Sequence, residues 1–248
     1  MYNYIGILSK SSAISNVFTA NLTSSQNKLN LVISKGNTIE IFNINKDGLE
    51  NTPSINLYAN ISILEKLSLE NTTTNSLFVV TDDLDYLIIN YNKSTENFIV
   101  KDKGSIKEDI GRRLAKIHFS LDSQNGFNNY VVVSAYKNVF KVIDLKTNKT
   151  MSIRYDFDDI LSLKRMSGIS NDKVIFGIMK TMNFYDHNTS NSQEYKISVI
   201  FETFIINLNT QSIISGDWSM NLTSTPNFSL VITPKRGGII IFYSNVLR

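Results

Sequence analysis

An all-β fold, a β-propeller of four-stranded antiparallel blades, is predicted by three features of this 248-residue sequence. They are a repeat near 50 residues, blocks of adjacent apolar residues in place of strict alternation, and no long stretch of helical periodicity. The repeat is three apolar residues followed by a small one. It recurs as Leu31-Val32-Ile33-Ser34, Phe78-Val79-Val80-Thr81, Val131-Val132-Val133-Ser134, Val174-Ile175-Phe176-Gly177 and Leu230-Val231-Ile232-Thr233. Successive small residues stand 47, 53, 43 and 56 positions apart. Eight residues beyond each comes another apolar or aromatic side chain: Phe42, Ile89, Val142, Tyr185 and Ile241. Each unit therefore predicts a strand, a short turn and a second strand.

Taken in order, the turns are Lys35-Gly36-Asn37, Asp82-Asp83, Ala135-Tyr136-Lys137-Asn138, a less polar Ile178-Met179-Lys180, and Pro234-Lys235-Arg236-Gly237-Gly238. Three adjacent apolar residues mark a strand covered on both faces, as in the middle of stacked blades; one wet face would impose alternation. Flanking segments supply the remaining strands, among them Ile61 to Leu64 and Lys116 to Leu121. In the latter, Ile117, Phe119 and Leu121 alternate with Lys116, His118 and Ser120, the pattern of an outer, half-exposed strand. About five blades are visible. The units lack repeated Trp-Asp dipeptides, and lone Trp218, in Gly216-Asp217-Trp218-Ser219, is expected to be a packing residue.

Composition narrows the chemistry. There is no cysteine, which removes disulfides, thiol catalysis and thiolate zinc sites, and two histidines leave little for a histidine metal cluster. Hydrophobic residues are 42% and charged residues 19%, ordinary for a globular chain. No apolar run approaches the length of a membrane span and no targeting segment opens the chain, so an intracellular location is expected. The net charge of +3 is too small to argue for nucleic acid through bulk electrostatics. Its distribution is uneven. Lys101, Lys103, Lys107, Arg112, Arg113 and Lys116, set against Asp102, Glu108 and Asp109, account for the whole excess. The segment reads either as a docking or phosphate-binding loop or as a solvated connector between two strands. No aromatic is interleaved with its charges, which weakens a single-strand stacking site.

Catalytic patterns are missing: no phosphate-cradling glycine loop, no Gly-x-Ser-x-Gly elbow, no His-Glu-x-x-His helix. His118 and His187 are not placed by sequence in any triad. Asp156, Asp158 and Asp159 could offer oxygens to a hard cation, but without the glycine and closing glutamate of a calcium loop they read as an acidic turn, as do Asp82, Asp83 and Asp85. The expectation is a binding surface with no cofactor, no metal and no enzymatic activity.

Several motifs carry a resemblance. Tyr2-Asn3-Tyr4-Ile5, Asn21-Leu22-Thr23-Ser24, Leu29 to Lys35, Ile39-Glu40-Ile41-Phe42 and Asp47-Gly48-Leu49 stand in order near the start. They are followed by Leu87-Ile88-Ile89-Asn90-Tyr91, Ile110-Gly111-Arg112, Phe140-Lys141-Val142-Ile143 and Gly237-Gly238-Ile239-Ile240-Ile241. In order and spacing the set resembles the N-terminal propeller of the family that includes the large subunit of the damage-specific DNA-binding protein, the third subunit of splicing factor 3b and the large subunit of cleavage and polyadenylation factor. The match is weakest from about Asp144 to Asn221. The resemblance implies a seven-bladed ring, of which residues 1–248 form an incomplete N-terminal propeller domain of a larger scaffold. It implies the adaptor subunit of a cullin-RING ubiquitin ligase in the DNA-damage response, nuclear and also cytoplasmic. Such an adaptor grips helical segments of substrate receptors, and the cullin is contacted through a part outside this chain. The other branch of the family implies a splicing or 3′-end-processing scaffold with RNA contact through Lys101 to Lys116. Gly111-Arg112 is the polar family motif that can be placed residue by residue, and it reads either as a structural turn or, with Arg113, as a binding site.

Overall fold

The computed structural model describes residues 12–23, 29–70, 72–124, 127–156, 160–165, 173–185, 195–222, 228–233 and 238–243. Among them there is no helix, and so none that could cross a membrane. The strands form antiparallel meanders in sequence order, divided between two compact units, residues 1–107 and 108–248.

The first unit holds two sheets. One runs β1 (Asn16–Ala20), β2 (Asn30–Lys35), β3 (Thr38–Asn45), β4 (Gly48–Asn51), with the short β5 (Ile55–Asn56) pairing the other end of β3. The next runs β6 (Ile61–Leu67), β7 (Ser76–Thr81), β8 (Asp85–Asn92), β9 (Asn97–Ser105). Val32, Ile39 and Ile41 of the first sheet meet Ile61, Leu64, Leu77, Val79 and Ile89 of the second in one buried cluster. Each such side chain, taken fully from water, contributes about 1.5–3 kcal/mol. All six residues of β7 are buried, as its unbroken apolar block requires. Strand β2 instead alternates, with Leu31 and Ile33 only half-buried, because its sheet meets the second sheet through the face that carries Val32.

The second unit holds β10 (Arg113–Gln124), β11 (Phe127–Tyr136), β12 (Val139–Asp144) and β13 (Lys149–Arg154) in one sheet. A second sheet has β14 (Ile160–Arg165), β15 (Lys173–Tyr185), β16 (Tyr195–Asn207) and β17 (Ser212–Leu222), and a two-stranded one has β18 (Phe228–Thr233) and β19 (Gly238–Tyr243). Val132, Phe140, Val142 and Ile153 pack against Leu163, Phe176, Ile178, Phe204 and Ile206. On the opposite face of the same sheet Val131, Val133 and Ile143 are also fully buried, so the three-residue block of β11 is covered on both sides.

Three expectations are corrected. Ile178-Met179-Lys180 is not a turn: it lies inside the 13-residue β15 and pairs with Glu202, Phe201 and Ile200, and Tyr185 ends the same strand. These residues include no Gly, Asn or Asp to reverse the chain, and Ile178 gains burial by continuing the ladder. In β10 the alternation is inverted at its polar end. Ser120 is buried while Ile117, Phe119 and Leu121 are half-exposed, because Ser120 pairs with Val132 on the face that packs against the next sheet. The basic segment is not a single connector. Its first lysines lie on β9 and its last residues on β10, leaving 106–112 between the strands. Tyr2 to Ile5, Asp158, Asp159, His187 and the side chain of Trp218 lie outside the described residues.

Candidate interaction surface at the blade connectors

At Ser34, Thr81 and Ser134 the small residue that ends the apolar block has a physical use. Ser34 is buried and its Oγ lies 2.8 Å from Ser15 Oγ. Thr81 Oγ1 donates to Asp85 C=O and accepts from Asp85 N–H, closing its own turn at 3.2 and 3.3 Å. Ser134 Oγ meets Tyr155 Oη at 3.4 Å. A longer side chain at these positions would displace the turn that follows.

Those turns are held from outside. In the first unit, Leu57 N–H donates to Asn37 C=O at 2.9 Å and Ile61 N–H donates to Gly36 C=O at 2.9 Å. Asn37 Nδ2 donates to Leu57 C=O at 2.9 Å. The β7–β8 turn repeats the arrangement: Asp82 N–H donates to Asn60 C=O and Ile106 N–H to Leu84 C=O, both at 2.9 Å. In the second unit, Lys137 N–H donates to Arg112 C=O at 2.8 Å and Tyr155 N–H to Asn138 C=O at 3.1 Å. Leu84 and Asn138 both take φ of 63°, left-handed geometry that turns their carbonyls toward these donors. In these three sheets the last strand thus runs into an apolar anchor, Leu57, Ile106 or Tyr155, bonded to the turn of its own sheet. Residues 57–60 form an arch fixed at both ends, with Tyr58 fully exposed at its crest.

The Gly111-Arg112-Arg113 motif lies in the second unit's version of this arrangement. Gly111 rests on the ring of buried Tyr136; a Cβ there would come 3.1 Å from Tyr136 Cδ1. Arg112 contributes its carbonyl to the clasp and Arg113 opens β10 opposite Tyr136. Backbone and glycine therefore do structural work while both guanidinium side chains reach solvent, together with Lys116 and Lys137. Ile110, just before the glycine, is 79% exposed.

Glu108 holds the other side of the loop. Its Oε1 accepts from Lys141 Nζ and from Ser152 Oγ, each at 2.6 Å, and Lys141 Nζ lies 2.8 Å from Ser152 Oγ. The hydrogen bond from Lys141, then that from Ser152, holds the Glu108 carboxyl below its ordinary range. His118, on β10, is pushed down to about 4, chiefly by burial and secondarily by Lys116. Asp82 Oδ1 bonds Ser62 Oγ, Asp85 pairs with Lys107 at 3.1 Å, and Asp156 is exposed. Among the described residues no three His, Asp or Glu side chains are grouped to hold a metal ion.

The sequence reading reached Gly111 to Arg113 but missed Ile110 as an exposed anchor, the arch at Tyr58, and the Glu108–Lys141–Ser152 tie. A lysine inside the apolar strand Phe140 to Ile143 was the available signal for the last. Residues 13–248 match the family model of the RSE1/DDB1/CPSF1 first beta-propeller. The chain belongs to this family. Its four-stranded antiparallel sheets are the blades of a β-propeller. Among curated relatives it is similar to DNA damage-binding protein 1 of Oryza sativa subsp. japonica, 21% identical over 246 residues, covering 97% of this chain and 21% of the relative. DNA damage-binding protein 1a of Arabidopsis thaliana is 21% identical over 245 residues, with the same coverage of both chains. DNA damage-binding protein 1 of Solanum lycopersicum is 21% identical over 246 residues. The chain therefore spans about a fifth of the length of these relatives.

Proposed function

We propose that this domain is a non-enzymatic, protein-holding scaffold module of a DNA damage-binding protein 1-like adaptor acting in the nucleus. In this reading residues 1–248 belong to one propeller domain of a ring with further blades. The ring holds substrate receptors through their helical segments for a cullin-RING ubiquitin ligase, and the cullin is contacted elsewhere in the protein. The observation that carries the reading is the clasped connector. A scaffold needs exposed side chains held in fixed positions, because ordering a loose loop on binding costs about 0.5–1.5 kcal/mol for each immobilised side chain. Tyr58 and Ile110 have that character. Membership of the family and the names of the relatives support the DNA-damage assignment. Gly111, Arg112 and Arg113 are the proposed contact motif, with the glycine positioning the two arginines.

Affinity purification of the intact protein from nuclear extract, followed by cross-linking mass spectrometry, tests this. Cross-links are expected from lysines of this domain, such as Lys137 and Lys116, to receptor proteins, within a preparation that contains ubiquitin-ligase components. A preparation holding only RNA-processing proteins would sink the reading.

A further inference from the structure

We propose that the loop entering β10 is a docking point for an acidic segment of a partner protein, with one aliphatic residue of that segment seated on Ile110 and its carboxylates facing Arg112, Arg113 and Lys137. The proposal rests on the scaffold reading and names the chemistry of one contact within it.

A single exposed aliphatic residue is ordinary on a protein surface. Ile110 differs in how its neighbours are fixed. Two residues before it, Glu108 is bonded to Lys141 and Ser152, each at 2.6 Å. One residue after it, Gly111 lies against Tyr136, and the next carbonyl accepts from Lys137 N–H at 2.8 Å. The isoleucine is presented by a loop that has little left to order on binding, which is the character of an interface anchor. The charge around it is predominantly positive, three cations against Asp109. Arg112, Arg113 and Lys137 are exposed, and Lys137 is joined to Arg112 through the backbone clasp. Of the loop's two acids, Glu108 is committed to Lys141, leaving Asp109 in solvent. The complementary ligand is negatively charged and carries an apolar group.

A peptide fits these features better than a nucleic acid. An aliphatic side chain offers no π-face for a base, and the aromatic ring beneath Gly111, that of Tyr136, is buried. RNA would be left with phosphate contacts alone, whereas a peptide uses both the isoleucine and the cations.

Fluorescence anisotropy on the intact protein tests the proposal with four labelled probes. These are a 12-residue Glu/Asp peptide with one central leucine, the same peptide with serine in its place, a Lys/Leu peptide, and a 12-nucleotide oligouridine. The acidic leucine peptide is expected to bind about tenfold more tightly than its serine counterpart, and the Lys/Leu peptide not at all. Ile110→Ser is expected to remove the leucine advantage. The double variant Arg112→Glu, Arg113→Glu is expected to lower affinity about tenfold or more, while Lys101→Glu, exposed on β9, leaves it unchanged. Equal binding of the two acidic peptides, indifference to the arginine reversal, or tighter binding of oligouridine would overturn the proposal. Absence of peptide binding overturns this docking point alone and leaves the scaffold reading to its own cross-linking experiment.

Discussion

Gly104 shows how closely single residues are specified. It pairs with Tyr86 across the β8–β9 ladder, and a Cβ built on it would fall 2.5 Å from the Tyr86 phenol oxygen and 2.6 Å from ring carbons. Tyr86 is itself fully buried, with its ring 6.0 Å from that of Phe78, so it has no room to give way. Gly104→Ala is expected to destabilise the fold by about 1–3 kcal/mol, seen as a lower midpoint in chemical denaturation. An unchanged midpoint would mean that the tyrosine does not cover the glycine in solution. His118 gives a pH signature. Its value of about 4 in the fold lies below the ordinary 6.5, so the unfolded chain takes up the proton more readily. The stability it contributes is complete above about pH 6.5, declines as pH falls toward about 4, and is flat below that. Glu108, whose carboxyl is held low, acts at more acid pH: its contribution is complete above about 4.5 and is lost as pH falls through its folded value. Between pH 7 and 5 the wild type is therefore expected to lose more stability than His118→Gln, by less than the full shift implies because the half-exposed ring is partly screened by solvent. Identical pH slopes in the two proteins would contradict the burial of the imidazole.

At the scale of elements, the inner hairpins were legible because their signal is local. The apolar blocks at Phe78 to Thr81 and Val131 to Ser134 are strands in the structure, and the polar turns that follow them are turns. The fourth unit failed for a reason that pattern alone does not carry. The β15–β16 ladder runs on in register through Lys173 to Tyr185, so the reversal comes after the position the repeat indicated. Last strands were harder still. Asn97 to Ser105 is mixed in polarity and mostly exposed, and its pairing with β8 is set by the hairpin rather than by an apolar face. The connector clasps were not legible in the sequence, because they are mainly backbone hydrogen bonds, accompanied by the apolar anchors Leu57, Ile106 and Tyr155 and by the Asn37 side chain. Gly111 and Arg112 were legible as a motif, but whether the motif was turn or contact needed the Tyr136 ring beneath it. The answer is divided: glycine and carbonyl build the turn, and the guanidinium groups are presented to solvent.

For the whole molecule, family membership and architecture agree on a β-propeller of scaffold type. The modest net charge of +3 fits this, since sequence-independent nucleic-acid binding relies on neutralising many phosphates. The proposed role of the fixed connector residues is to hold other proteins. It is tested most directly by placing a photo-reactive amino acid at Tyr58 or at Ile110 in the intact protein and irradiating it in nuclear extract, with the exposed turn residue Glu96 as the control position. Covalent adducts with proteins at 58 and 110, and none at 96, are the predicted result. Adducts with RNA alone, or the same faint background at all three positions, would contradict it.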